Sequence, residues 1–138
     1  MKQWIGLVVG LWAVSAAWAK PVDWATDYEK ALADAANSKK IVMVDVYTDW
    51  CGWCKKLDKD VYANKAVEEK LAANFIAVKA NPEKTKWAAE LAKKFTVRGF
   101  PYIVFLDAKG NKLKDIGGYV PADKFAEILD SLVNDTKK

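Results

Sequence analysis

Two cysteines three positions apart, in a chain with no histidine, set the tightest limit on what this sequence can build. They lie in the run Trp50-Cys51-Gly52-Trp53-Cys54-Lys55. A small secreted fold held by disulfides usually carries four or more cysteines. Closing a four-residue loop removes only about 2 kcal/mol of unfolded-state entropy, so this pair is a poor staple. A structural zinc site needs four ligands, and neither a histidine nor a second cysteine pair is there to supply them. Thiol redox chemistry is the use that remains.

The neighbouring residues give that chemistry a physical basis. Ile41-Val42-Met43-Val44-Asp45-Val46-Tyr47 is a nearly continuous β-branched apolar run, which predicts a central strand buried on both faces. Thr48-Asp49 leads from it into the cysteine motif, and a helix is predicted from about Cys51 to Asp60 with Lys55, Lys56 and Lys59 on its wet side. Cys51 then sits at a helix N-terminus, where unpaired N–H groups and the macrodipole favour a thiolate. That lowers the pKa of an exposed thiol and makes it the nucleophile. Cys54, one turn on and deeper, is placed to attack the mixed disulfide and release the reduced substrate.

The rest of the chain supplies one domain around this site. Thr26-Asp27-Tyr28-Glu29 has the form of a capping box, predicting a helix over Asp27–Asn37. Asn64 is placed to cap a helix through Ala73, and Phe75–Lys79 is a second strand. Pro82 is expected to start a helix over Glu83–Lys94 whose Trp87, Leu91 and Phe95 form a core stripe. Tyr102–Leu106 and Lys112–Ile116 are strands joined by the turn-forming run Asp107 to Asn111. Pro121 opens a last amphipathic helix with Phe125, Ile128, Leu129 and Leu132 inward. The order α-β-α-α-β-α-β-β-α predicts an α/β fold, a small mixed sheet covered by helices on both faces.

The first nineteen residues read as a leader rather than as part of that domain. Lys2 precedes an uncharged, largely apolar stretch from Trp4 to Trp18 that closes on Ala17-Trp18-Ala19, a small-x-small pattern of secretory cleavage sites. The stretch is shorter than the ~20 residues a membrane-spanning helix needs. Residues 1–19 are therefore expected to be a cleaved signal peptide, leaving an exported domain over 20–138 with no membrane span. The 22 basic and 18 acidic residues give a net charge of +4 that is spread along the chain, so no nucleic-acid surface is expected. No cofactor is expected either: there is no phosphate-cradling glycine loop, and Cys54 is followed by Lys55 instead of the histidine of a haem motif.

Asp45 interrupts the apolar strand six residues before Cys51. A carboxylate buried there without a partner is costly, and one at a strand edge reaching solvent is not. Taken together, Asp45, the Trp50 to Lys55 motif and Phe100-Pro101 before a strand resemble the thioredoxin superfamily over nearly all of residues 20–138. Tyr47-Thr48-Asp49-Trp50-Cys51 with Lys55 also resembles the periplasmic C-terminal domain of DsbD-type thiol–disulfide interchange proteins. The resemblance implies a thioredoxin-like fold with a central sheet of four to five strands. It implies that Asp45 is a buried proton acceptor for Cys54 tuned by Lys79, and that Pro101 follows a cis bond and sets the backbone of Phe100 beside the cysteines. Trp50, Gly52, Trp53, Phe100 and Pro101 then form the substrate-binding rim, where an extended partner can add like a strand. Trp53 departs from the proline common at that place in the family.

These residues and the resemblance together predict a thiol–disulfide oxidoreductase, periplasmic or otherwise exported, that reduces protein disulfides. Electrons are expected from a membrane-embedded thiol donor, since no second cysteine pair is present as an internal relay. An oxidase or isomerase differs from this only in potential, and a non-catalytic chaperone-like module would use the tryptophan rim alone.

Overall fold

A computed structural model describes residues 20–138; the expected signal segment, residues 1–19, lies outside the described residues. The described elements are α1 (Tyr28–Ser38), β1 (Ile41–Val46), α2 (Gly52–Asp60), α3 (Lys65–Asn74), β2 (Phe75–Ala80), α4 (Lys86–Lys94), β3 (Tyr102–Leu106), β4 (Lys112–Gly117) and α5 (Ala122–Thr136). No described helix is long and apolar enough to cross a membrane.

The β-branched run of β1 becomes an inner strand of a four-stranded mixed sheet in the order β2-β1-β3-β4. It pairs parallel with β2, and β3 runs antiparallel to both β1 and β4. Every residue of β1 and β3 is buried. Because strand side chains alternate, the sheet feeds two cores. Met43, Phe75, Ala77, Ile103 and Phe105 face one core, which Leu57 of α2, Val67 and Leu71 of α3 and Phe125 and Leu129 of α5 complete. Val42, Val44, Val46, Val78, Val104 and Leu106 face the other, under Ala31 and Ala35 of α1 and Ala88 and Leu91 of α4. Each fully buried large side chain, such as Phe105 or Phe125, contributes roughly 1.5–3 kcal/mol of transfer free energy. The Trp87 stripe belongs to this second core, with the Trp87 ring stacked on Tyr28 at a centroid distance of 5.7 Å.

Two local expectations change, and one segment was not foreseen. The cap of α1 is Asp27, whose carboxylate accepts the Lys30 N–H at 3.0 Å, and not Thr26 as the capping-box spacing predicts. The helix expected from Glu83 begins only at Lys86, with Thr85 as its cap residue. Asn81 holds the intervening residues in a turn: its side chain accepts the Glu83 N–H at 2.9 Å, and its carbonyl accepts the N–H groups of Lys84 and Thr85. Side-chain capture of a backbone donor outcompetes the helix there. Finally, the strap over 20–27 runs beside β2, where Ala25 makes an isolated parallel bridge to Val78. The sheet therefore has four strands and a single-residue fringe.

The hairpin between β3 and β4 closes as its composition predicts. Asp107 accepts the N–H groups of Lys109 and Asn111, both at 2.9 Å, and Gly110 takes φ 85°. A Cβ at Gly110 would meet the Tyr28 hydroxyl at 3.3 Å, so both conformation and space favour glycine.

Candidate active site

Strand β1 and the loop after it deliver the cysteines to the start of α2. Cys51 is the N-cap, with an extended backbone, and its Sγ accepts the Cys54 N–H at 3.1 Å. Sulfur thus occupies the place of the usual capping oxygen, where the helix end offers unpaired donors. Cys51 and Cys54 are disulfide-bonded across a Cα–Cα distance of 5.3 Å. Cys51 is 5% exposed and Cys54 1%, so the first cysteine is the more accessible of a sheltered pair.

Aromatic residues flank the pair along the chain, Trp50 in the turn before it and Trp53 in α2, each packed on a ring from a distant loop. Trp50, 68% exposed, donates its Nε1–H to Glu83 at 2.8 Å and meets the Phe100 ring edge-on at 5.8 Å. Trp53, 58% exposed, packs against Tyr119 at 5.5 Å. The Phe100–Pro101 peptide bond is cis, Pro101 is buried, and the Pro101 carbonyl accepts the Gly118 N–H at 2.8 Å. A Cβ placed on Gly52 would meet none of the described residues within 4 Å, so they leave the space beside the disulfide open.

Asp45 lies in the sheet on the face that α2 covers. Its carboxylate is 0% exposed, which removes the solvent-reaching alternative. Lys79, its parallel partner in register on β2, contacts Asp45 Oδ2 at 2.7 Å, while Oδ1 has no hydrogen-bond partner among the described residues. Burial pushes the Asp45 pKa up, and the Lys79 ammonium only partly offsets this, so the carboxyl stays above the ordinary range. For Lys79 burial works against the charge, but Asp45 and Asp58 outweigh it and raise its pKa. Tyr62, buried beside them with no hydrogen bond to its hydroxyl from the described residues, is pushed well above the usual phenol range by burial and then by the two carboxylates.

Residues 28–132 match the thioredoxin-like domain. The chain belongs to that family. It is 33% identical over 98 residues to the thiol:disulfide interchange protein DsbD of Photorhabdus laumondii, covering 70% of this chain and 17% of that protein. It is 38% identical over 109 residues to the chloroplastic thioredoxin-like protein HCF164 of Oryza sativa, covering 79% of this chain and 37% of the relative. The chain thus spans well under half the length of these curated relatives. Among solved structures, a thioredoxin from Thermus thermophilus superposes with a TM-score of 0.74 at 26% identity, over 83% of this chain and 88% of the other. The oxidised C-terminal domain of Neisseria meningitidis DsbD gives 0.64 at 23% identity, over 79% and 98%, a likeness of fold.

Within this thioredoxin-like domain the structure also gathers residues that sequence reading passed over. Glu83 orients Trp50, and Tyr119 backs Trp53. Asp58 contacts Lys79 Nζ at 2.6 Å, and the rings of Trp24, Tyr47 and Tyr62 surround the same ammonium. Only Asp58 carried a local signal: it lies four residues after Cys54, on the same face of α2.

Proposed function

We propose that this thioredoxin-like domain is an exported thiol–disulfide oxidoreductase that reduces protein disulfides. The observation that carries this reading is Cys51 as the cap of α2, its sulfur accepting the Cys54 N–H and bonded to Cys54. In the dithiol form the Cys51 thiolate attacks one sulfur of a substrate disulfide, and the other substrate sulfur leaves as a thiolate. Asp45 takes the proton from Cys54, whose sulfur then attacks Cys51 Sγ and expels the second substrate thiol. Two electrons pass to the substrate and the Cys51–Cys54 disulfide remains. A membrane-embedded thiol donor is the proposed source of the two electrons that restore the dithiol. Trp50, Gly52, Trp53, Phe100 and Pro101 are the proposed contact surface for the partner, with open space over Gly52.

Electrostatics supports the reducing direction. Strong oxidants of this kind stabilise the reduced thiolate. Here Cys51 Sγ accepts one backbone N–H, the chain has no histidine, and the Lys79 ammonium beneath α2 is already paired with Asp45 and Asp58. A glutathione redox titration is expected to place the potential nearer to about −270 mV, as in thioredoxin, than to the roughly −120 mV of a strong oxidant. A value at the oxidising end reverses the assignment. Export rests on the residue pattern of 1–19, and the mass of the chain recovered from producing cells is expected to correspond to a start at Lys20. A full-length mass with no processing removes that part of the reading.

A further inference from the structure

Side chains along an extended segment alternate between faces, and the strap over 20–27 obeys this rule beside β2. The Ala25 N–H donates to the Ala77 carbonyl at 2.8 Å, and the Lys79 N–H donates to the Ala25 carbonyl at 3.2 Å. Ala25 therefore joins the core under α1 and α4, while Trp24 and Val22 turn to the opposite core. That is the face on which Asp45 of β1 and Lys79 of β2 lie in register. The strap thus delivers an indole to the ion pair under the active-site helix.

We propose that Trp24 is a positioning residue of the thiol-exchange site: with Tyr47 and Tyr62 it walls in the Lys79 ammonium and holds it on Asp45. This rests on the roles proposed above for Cys51, Cys54 and Asp45. Lys79 Nζ lies 4.6 Å from the Trp24 ring centre, 4.8 Å from that of Tyr47 and 5.3 Å from that of Tyr62. Ring faces attract a cation, most strongly where water is kept out. The Trp24 and Tyr62 rings also meet edge-to-face at 4.8 Å, so the walls brace each other.

The walls matter because Lys79 has a choice of partners. A lysine ammonium is a strongly hydrated point charge on a flexible four-carbon stem. Asp58, its second carboxylate, is half exposed, whereas Asp45 is sealed. Without a barrier the ammonium is drawn to Asp58 and water, and Asp45 is left without its cation. The charged and titratable groups around Lys79 are Asp45 and Tyr47 from β1 and the residue after it, Asp58 from α2 and Tyr62 from the turn that follows; the strap adds only the neutral indole. With Asp45 still sealed from water by the sheet and α2, loosening Lys79 removes the charge that lowers its pKa: Asp45 keeps its proton to higher pH, and proton removal from Cys54 shifts with it.

The test follows the Asp45 carboxyl carbon by NMR through a pH titration of the oxidised chain, alongside the pH dependence of disulfide reduction. In Trp24→Leu the Asp45 midpoint is expected to rise by about half to one pH unit, roughly a three- to tenfold change in its ionisation. The reduction profile is expected to move the same way, and Trp24→Phe, which keeps a ring, to recover most of the wild-type midpoint. An indole that only fastens the strap would lower the melting temperature and leave the midpoint in place. An unmoved midpoint, or an equal shift in Trp24→Phe, overturns the proposal. If Trp24→Leu does not fold, Tyr47→Leu removes a half-buried wall and is expected to shift the midpoint upward too; an unmoved midpoint in that variant overturns the proposal as well. The NMR midpoint does not depend on turnover. A shifted midpoint in a chain with no Cys51-dependent reduction would retain the cage and remove the oxidoreductase reading. An unshifted midpoint with reduction intact would do the reverse.

Discussion

Cys51→Ser is expected to bring the reduction of a protein disulfide down to the uncatalysed rate, a loss of about three orders of magnitude or more. A serine hydroxyl at the cap of α2 still accepts the Cys54 N–H, so the helix keeps its start. What disappears is the sulfur anion, and an alcohol at neutral pH does not replace it as the attacking group. Cys54→Ser separates the two half-reactions. Cys51 still attacks, but nothing resolves the product, so a covalent protein–substrate disulfide is expected to accumulate on a non-reducing gel or in an intact mass spectrum. The two variants together decide the order of attack. A trapped complex formed by Cys51→Ser in place of Cys54→Ser would exchange the proposed roles. A wild-type rate indistinguishable from that of a chain lacking both thiols would leave the Trp50 and Trp53 surface as a binding face only.

The second large effect is on stability. Lys79→Met is expected to cost about 3–5 kcal/mol at neutral pH, because it leaves the Asp45 carboxylate buried and unpaired. The pH dependence follows from the raised pKa of Asp45. Its folded-state value lies above the unfolded one, so protonation favours the fold. The associated stability is fully present below the unfolded value of about 3.9 and is lost as pH rises through the folded pKa. Removing Lys79 raises that folded pKa further. The deficit of Lys79→Met is therefore greatest at about pH 8 and shrinks towards about pH 4, as urea unfolding at both values will measure. Adding Asp45→Asn to Lys79→Met removes the orphaned charge and is expected to recover most of the loss. A deficit independent of pH would show that Lys79 acts through packing of its stem and not through Asp45.

Much of the arrangement was legible in the residue pattern. The β-branched run of Ile41–Val46, the cap at Asn64 and the turn at Asp107–Asn111 are local features, and they formed where local physics put them. The start of α4 was missed because Asn81 bonds its own neighbours, a competition that depends on the direction taken by one side chain. Asp27 in place of Thr26 at the cap of α1 is a one-residue choice between two capable oxygens. The Trp50–Glu83 contact joins residues thirty-three positions apart, and the Trp53–Tyr119 contact spans still more of the chain. Neither leaves a periodic trace.

By itself the sequence determined the chemistry available to this protein. Two thiols one helical turn apart, no histidine and a lone carboxylate in an apolar strand leave few other uses, because each residue type has a narrow range of reactivity. Only the tertiary structure decided how that carboxylate is held. The parallel register of β1 and β2 sets Lys79 opposite Asp45, α2 brings Asp58, and a strap with one bridge to the sheet brings Trp24. Counting β1, which carries Asp45 itself, these groups come from four separate segments, and the energy of a buried charge depends on what surrounds it in space, not on its neighbours along the chain.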